Sequence, residues 1–289
     1  MALPNFFIIG AVKSGTGALH QYLGCHPEIF MSPLKEPRFF LLRGDGPHDV
    51  KNKSIPIKTL ADYEDLFSKS STELARGESS SNYLPSPRAA NAIFELVPEA
   101  KLVVSLRNPV ERAIAHYEMI NPGATASRDL LLGEKENWAR SSLYTESLRR
   151  YIDLFGADRV NVLIMEEWKK NPGAALAQLF GFLGVDDDFT IDSRINYKPA
   201  QVYSSKIPQG GWVRWVKPLI PDRVKHLLKR RQSSNSVSLY ETVPREICEE
   251  MWSWYEDDVD SLSTLLDREL TVWTSAYCSA GSMSGSEHG

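Results

Sequence analysis

The sequence predicts an α/β fold: a central, mostly parallel sheet flanked by helices, with helical and loop additions at the C-terminal end. Three observations predict it. The runs Phe6–Gly10, Lys101–Arg107 and Val160–Met165 are apolar on both faces, as strands buried between two helical layers must be. Helical patterns alternate with them along the chain. No repeat appears at solenoid or propeller spacing. The 289 residues suit one large domain, and 42% hydrophobic with 24% charged residues excludes a disordered or collagen-like chain.

In chain order, the strand Phe6–Gly10 leads into a helix over Thr16–Cys25. Further helices are predicted over Pro87–Leu96, Pro109–Met119, Trp138–Phe155 and Gly173–Leu183. Pro87 and Pro109 sit where a first helical turn tolerates proline, and Gly184 fits a helix stop. Gly77–Leu84 reads as a strand end with a hydroxyl-rich turn. From Asp186 to Gln209 the chain is turn-rich, and two helical pieces follow, Pro221–Arg231 and Pro244–Leu270. Residues 1–275 read as one domain, and the Gly/Ser-rich residues 276–289 as a flexible tail.

Charge and cysteine usage bound the function. A net charge of −4, from 33 Lys+Arg against 37 Asp+Glu, argues against a partner held by overall positive charge, so no nucleic acid is expected. Cys25, Cys248 and Cys278 form neither a metal spacing nor an even disulfide set, which favours a reducing compartment. With no basic leader and no run near twenty apolar residues, the reading is a cytoplasmic chain with no membrane span.

The strongest chemical signal is Gly10-Ala11-Val12-Lys13-Ser14-Gly15-Thr16-Gly17, after a buried strand and before an amphipathic helix. Glycines let the backbone turn tightly and approach a ligand, and the amides of residues 13 to 18 at a helix N-terminus favour a bound phosphate. Lys13 adds charge, and Ser14 and Thr16 add hydroxyls. The order differs from the nucleotide-kinase loop, in which lysine follows the second glycine and a hydroxyl holds magnesium. Here lysine comes first, and Lys101–Arg107 ends in arginine rather than a magnesium-binding aspartate, so no metal is expected.

That loop, His26-Pro27, Lys35-Glu36-Pro37-Arg38-Phe39-Phe40, and Ser105-Leu106-Arg107-Asn108-Pro109 with the helix after it resemble the sulfotransferases that use 3′-phosphoadenylyl sulfate (PAPS). The likeness is closest to the heparan-sulfate and carbohydrate branch and its bacterial relatives. Val162–Trp168, Asn171-Pro172 and Phe182-Leu183-Gly184 extend it, so it covers roughly residues 5–185. The resemblance implies a P-loop-type three-layer fold and a PAPS-dependent O-sulfotransferase that releases adenosine 3′,5′-bisphosphate (PAP). It assigns the loop residues Lys13, Ser14, Gly15, Thr16, Gly17 and Ala18 to the 5′-phosphosulfate and Arg107 to the 3′-phosphate. It makes Glu36 the base and the acceptor a hydroxyl on a glycan or small natural product.

The chain departs from the family pattern in places. Ala115 stands where a serine is expected against the 3′-phosphate, a loss on the order of 1 kcal/mol that Arg112 or a loop residue would have to offset. Ser79 stands where some relatives carry lysine, and the segment expected to cover the adenosine lacks its lysine–glycine signature, leaving Lys198 and Lys206 as candidates. A carboxylate beside Phe39 and Phe40 is expected to have a raised pKa. Lys35 and Arg38 are possible helpers, His116 is the alternative base, and His20 and His26 read as structural. The basic run Arg214–Arg231 with Trp212 and Trp215 reads first as a solvated helix face and second as an acceptor surface. The competing readings are an ATP-using small-molecule kinase and a non-catalytic nucleotide-binding protein.

Overall fold

A computed structural model of the chain describes residues 3–41, 57–125, 127–190 and 239–274. Five strands, β1 Phe6–Gly10, β2 Ile29–Met31, β3 Ala75–Ser79, β4 Lys101–Leu106 and β5 Val160–Ile164, form one sheet in the order β2-β3-β1-β4-β5. Every pairing is parallel. β1 is central, with Phe6 opposite Gly77 on one side and Lys101 on the other.

The alternation of side chains along β1 explains why both its faces are apolar. Phe7 and Ile9 enter one core with α3 Pro87–Leu96, α4 Pro109–Ile120, α6 Thr145–Phe155 and the C-terminal helices. Phe6 and Ile8 enter a second core with α1 Thr16–Leu23 and α8 Pro172–Leu183. All four side chains are at most 1% exposed, each contributing roughly 1.5–3 kcal/mol by burial. This central strand is the rigid stem of the glycine loop.

Local chemistry sets the helix starts. Ser86 accepts the Ala89 amide and Asn108 those of Val110 and Glu111, each just ahead of a first-turn proline. Two long predicted helices are each broken in two. Trp138–Phe155 becomes α5 Asn137–Arg140 and α6, because Asp258 of a distant helix receives the Tyr144 amide at 2.6 Å and starts a new N-terminus. Pro244–Leu270 becomes α10 Arg245–Trp252 and α11 Glu256–Leu266, which ends at Asp267 with φ 46°. Elements not separately anticipated are β2, α2 Leu60–Asp65, α7 Met165–Trp168, α9 Leu239–Thr242 and α12 Thr271–Thr274. β3 was legible only as a strand end: its sequence ARGES has no apolar period, and Gly77 is needed because a Cβ there would lie 2.1 Å from the Phe6 ring.

The C-terminal helices are tied to the body. Glu166 accepts the Asn108 amide at one oxygen and the Trp273 indole N–H at the other, both at 2.9 Å. The helix expected at Pro221–Arg231, the basic run, Lys198, Lys206, Cys278 and the tail lie outside the described residues.

Candidate active site

Because the sheet is parallel throughout, the segments leaving the C-terminal ends of all five strands meet along one edge, where ligands of such sheets bind. The glycine loop leaves β1. Its Lys13 and Gly15 take left-handed φ values of 68° and 84°. A Cβ on Gly15 would lie 2.6 Å from the Trp168 ring. Trp168 Nε1 donates to Ser105 Oγ at 3.0 Å, and Ser105 Oγ donates to the Ser14 carbonyl at 2.6 Å. An indole from α7 and a hydroxyl from β4 thus fix the loop from beneath. Trp168 was legible as part of the family-like stretch, but nothing in the sequence showed this buttressing role.

Of the amides in residues 13 to 18, Ser14 donates to Ala11 O and Ala18 to Gly15 O. Those of Lys13, Gly15, Thr16 and Gly17 find no acceptor among the described residues. The expectation that all six amides serve a ligand is thereby narrowed. Ser14 is fully buried, its Oγ without a hydrogen-bond partner. Beside the loop opens a cavity of about 380 Å³ lined by Lys13, Gly15, Thr16, Gly17, Ala18, Tyr22, Met165, Trp168, Lys169 and Pro172. Although Lys13 is exposed, partial desolvation of its ammonium at the loop lowers its pKa, opposed by Glu118 and assisted by Arg107. Lys169, exposed but lining the same cavity, is lowered by partial desolvation and by Arg107; sequence reading missed it.

Arg107 follows β4 and is paired with Glu111, at 2.7 Å through Nη2 and 3.2 Å through Nε. Ala115, one turn further along α4, is 6% exposed. Arg112 does not replace the missing serine. It is fully buried, donating to Ser142 Oγ at 2.6 Å and to the Trp138 carbonyl.

Glu36 lies on the segment after β2, with φ 60°. Its amide donates to Ser79 O at 2.8 Å, and the Arg38 amide donates to Ser80 Oγ at 3.0 Å. Phe39 and Phe40 anchor the segment in the core, Phe39 stacking on Tyr63 at 4.5 Å. The Glu36 carboxylate receives Lys35 Nζ at 2.8 Å, Ser81 Oγ at 2.7 Å and Arg38 Nε at 3.3 Å. Burial alone would raise its pKa, but Lys35, Ser81 and Arg38 outweigh burial and hold it below the ordinary 4.5. The expected upward shift is therefore corrected: the neighbouring aromatic rings point into the core, and the carboxylate faces cations instead. The raised carboxyl next to Glu36 is Glu78, fully buried and pushed to about 7 by desolvation, against hydrogen bonds from Tyr83, Ser80 and Tyr63.

The two halves of the site touch. Lys35 passes over the first turn of α1, its Cε 3.7 Å from where a Cβ on Gly17 would stand. His20 Nδ1 lies 2.9 Å from Ser79 Oγ, so both links run through the glycine-loop helix.

A sequence model of the sulfotransferase family matches residues 4–189. The chain belongs to the sulfotransferase family.

Among solved structures, this sulfotransferase-family chain is similar to a sulfotransferase from Alicyclobacillus acidocaldarius, with a TM-score of 0.70 and 30% identity, covering 94% of this chain and 99% of that one. Among curated proteins it is 25% identical over 236 residues to the mouse bifunctional heparan sulfate N-deacetylase/N-sulfotransferase 4, covering 72% of this chain and 25% of the relative. It is 32% identical over 117 residues to the membrane-associated sulfotransferase kil1 of Dictyostelium discoideum, covering 40% of this chain and 23% of the relative. The chain therefore spans about a quarter of the length of these curated relatives. The family match does not favour the kinase reading.

Within this family member, His116 is poorly placed to act as the base. Burial and Arg112 lower it to about 4. Arg112 Nη1 lies 3.3 Å from His116 Nδ1. A guanidinium only donates, so Nδ1 accepts, the neutral ring carries its proton on Nε2, and no lone pair remains for a substrate proton. Among the described residues no helix is long and apolar enough to cross a membrane.

Proposed function

We propose that the chain moves a sulfuryl group from PAPS to a hydroxyl on a glycan or small natural product, with Glu36 as base. The observation that carries this reading is the approach of Lys35, which pairs with Glu36, to Gly17 in the first turn of α1, its Cε 3.7 Å from where a Cβ on Gly17 would stand. It puts an ionised carboxylate beside a loop with unspent amides.

The residues present fit such a donor. Unspent amides of Lys13, Gly15, Thr16 and Gly17 suit a phosphate, and Gly15 leaves space that a Cβ would close. Arg107 serves the 3′-phosphate after releasing Glu111, and Lys169 adds a second cation at the cavity wall. Lys198 is assigned to the adenosine side by the family resemblance alone. The donor supplies an electrophilic sulfuryl group on a phosphate leaving group. Glu36 accepts the acceptor's proton as the new S–O bond forms. Lys13 neutralises charge gathering on the departing phosphate, the kind of preorganised stabilisation that dominates group transfer of this type.

Two measurements test the reading. In calorimetric titration, PAP is expected to bind in the presence of a chelator, whereas binding of ATP–magnesium alone would overturn the assignment. Transfer of radiolabelled sulfate from PAPS to glycan and small-molecule hydroxyl pools is expected, and transfer only to amines would replace the hydroxyl with a nitrogen acceptor.

A further inference from the structure

We propose that Ser81 is the positioning residue of the base: with Lys35 it occupies Glu36 Oε1, leaving Oε2 as the oxygen that receives the acceptor's proton. This rests on the reading of Glu36 as base. A carboxylate offers about two lone-pair sites per oxygen. Oε1 takes two short contacts, Ser81 Oγ at 2.7 Å and Lys35 Nζ at 2.8 Å, with the Ser81 amide at 3.2 Å. Oε2 takes only long ones, Arg38 Nε at 3.3 Å and the Ser81 amide at 3.3 Å. Charge-assisted bonds that hold firmly are shorter, about 2.7–2.9 Å. The carboxylate is therefore clamped through one oxygen and open at the other.

Ser81 suits the task because its support is rigid. It is 7% exposed. The preceding residue is fixed from three sides: the Ser80 amide donates to Ile8 O at 3.1 Å, Ser80 Oγ donates to Glu78 at 2.8 Å, and the same Oγ accepts the Arg38 amide. The turn then closes with the Tyr83 amide on Ser80 O and the Leu84 amide on Ile9 O. A serine hydroxyl has a single proton to give, and here it goes to Glu36. Ser81 does not line the cavity beside the phosphate loop, so its effect is confined to the base. The charged and titratable groups facing Glu36 are Lys35 and Arg38 from its own segment, His20 from α1 and Glu78 from β3.

The test uses Ser81→Ala and Ser81→Thr in the full chain, with carbon-13-labelled glutamate read by NMR and Glu36→Gln used to assign the Glu36 carboxyl signal. In Ser81→Ala the Glu36 carboxyl titration is expected to rise by about one unit, the value of one hydrogen bond to a charged group. The acid limb of the pH–rate profile should move up with it, and kcat should fall about ten-fold at unchanged KM for PAPS. Ser81→Thr, which keeps the hydroxyl, should restore all three. An unmoved Glu36 titration in a folded Ser81→Ala protein, with the acid limb still lost in Glu36→Gln, overturns the proposal while leaving Glu36 as base. A moved titration with an acid limb that persists in Glu36→Gln overturns the base reading itself, and Ser81's positioning role with it.

Discussion

At the scale of single residues, the proposed base Glu36 and the loop cation Lys13 differ in how the fold prepares them. Glu36 is ion-paired and hydrogen-bonded into its charged form, so it is ready at neutral pH, at the cost of being a weaker base. Glu36→Gln keeps the shape but cannot take a proton, and turnover is expected to fall about 10² or more with PAP affinity little changed. In the unsubstituted protein the acid limb should lie below 4.5, the ordinary carboxyl value, and vanish in the variant. An acid limb near neutrality would exclude Glu36. Lys13 is held in a left-handed backbone conformation at the loop and is exposed, so Lys13→Ala should spare the fold while turnover drops about 10² to 10³. Near-normal turnover in the folded variant would remove the phosphate-loop assignment.

At the scale of the element, α4 bears on the proposed 3′-phosphate subsite. Glu111 and Ala115 lie one helical turn apart on the same face, and Glu111 holds Arg107. A hydroxyl added by Ala115→Ser is expected to tighten PAP a few-fold, matching roughly 1 kcal/mol for one hydrogen bond. Unchanged affinity would mean that another donor, with Lys169 at the cavity wall a candidate, already fills that place. The start of α4 was readable from Pro109 and its course from the apolar period, whereas the Asn108 cap emerged only in the structure. The division into α5 and α6 was not readable, because the group that starts α6 is Asp258, far away in sequence.

At the scale of the whole molecule, buried titratable groups set how stability depends on pH. Burial, with Lys35 at His20 and Arg112 at His116, lowers both imidazoles to about 4 from 6.5. The unfolded chain therefore binds more protons there between those values, and stability rises with pH across that window. Glu78 is raised from 4.5 to about 7; the folded chain binds the extra proton, so its contribution to stability falls as pH rises through that range. Asp258, also raised by burial, opposes the rise at the acid end; among His20, His116 and Glu78 the two imidazoles outweigh the one carboxyl up to about 6.5, and above it Glu78 alone of the three acts. The melting temperature is expected to peak near pH 6.5 and decline toward pH 7.5, with the decline absent in Glu78→Gln. A decline of equal slope in that variant would show that another group causes it.

By itself the sequence determined the strand–loop–helix that begins at Phe6, the proline-started helices and the glycine, lysine and hydroxyl content of the loop read as a phosphate site. These follow from local rules: apolar period, glycine where the backbone must turn tightly, and caps within a few residues of the helix they start. Tertiary structure decided the rest. Parallel order places the ends of β2, β3, β1, β4 and β5 side by side, and this gathers Glu36, Ser81, Lys13, Arg107 and Lys169 from widely separated positions. The ionisation of Glu36 belongs in part to the same class. Its sequence neighbours Phe39 and Phe40 suggested an apolar setting, but the rings turned into the core. The carboxylate's state was set jointly by Lys35 and Arg38 of its own segment, which a local pattern could show as charge partners, and by Ser81, which packing across the sheet brings from 45 residues away and no local pattern shows.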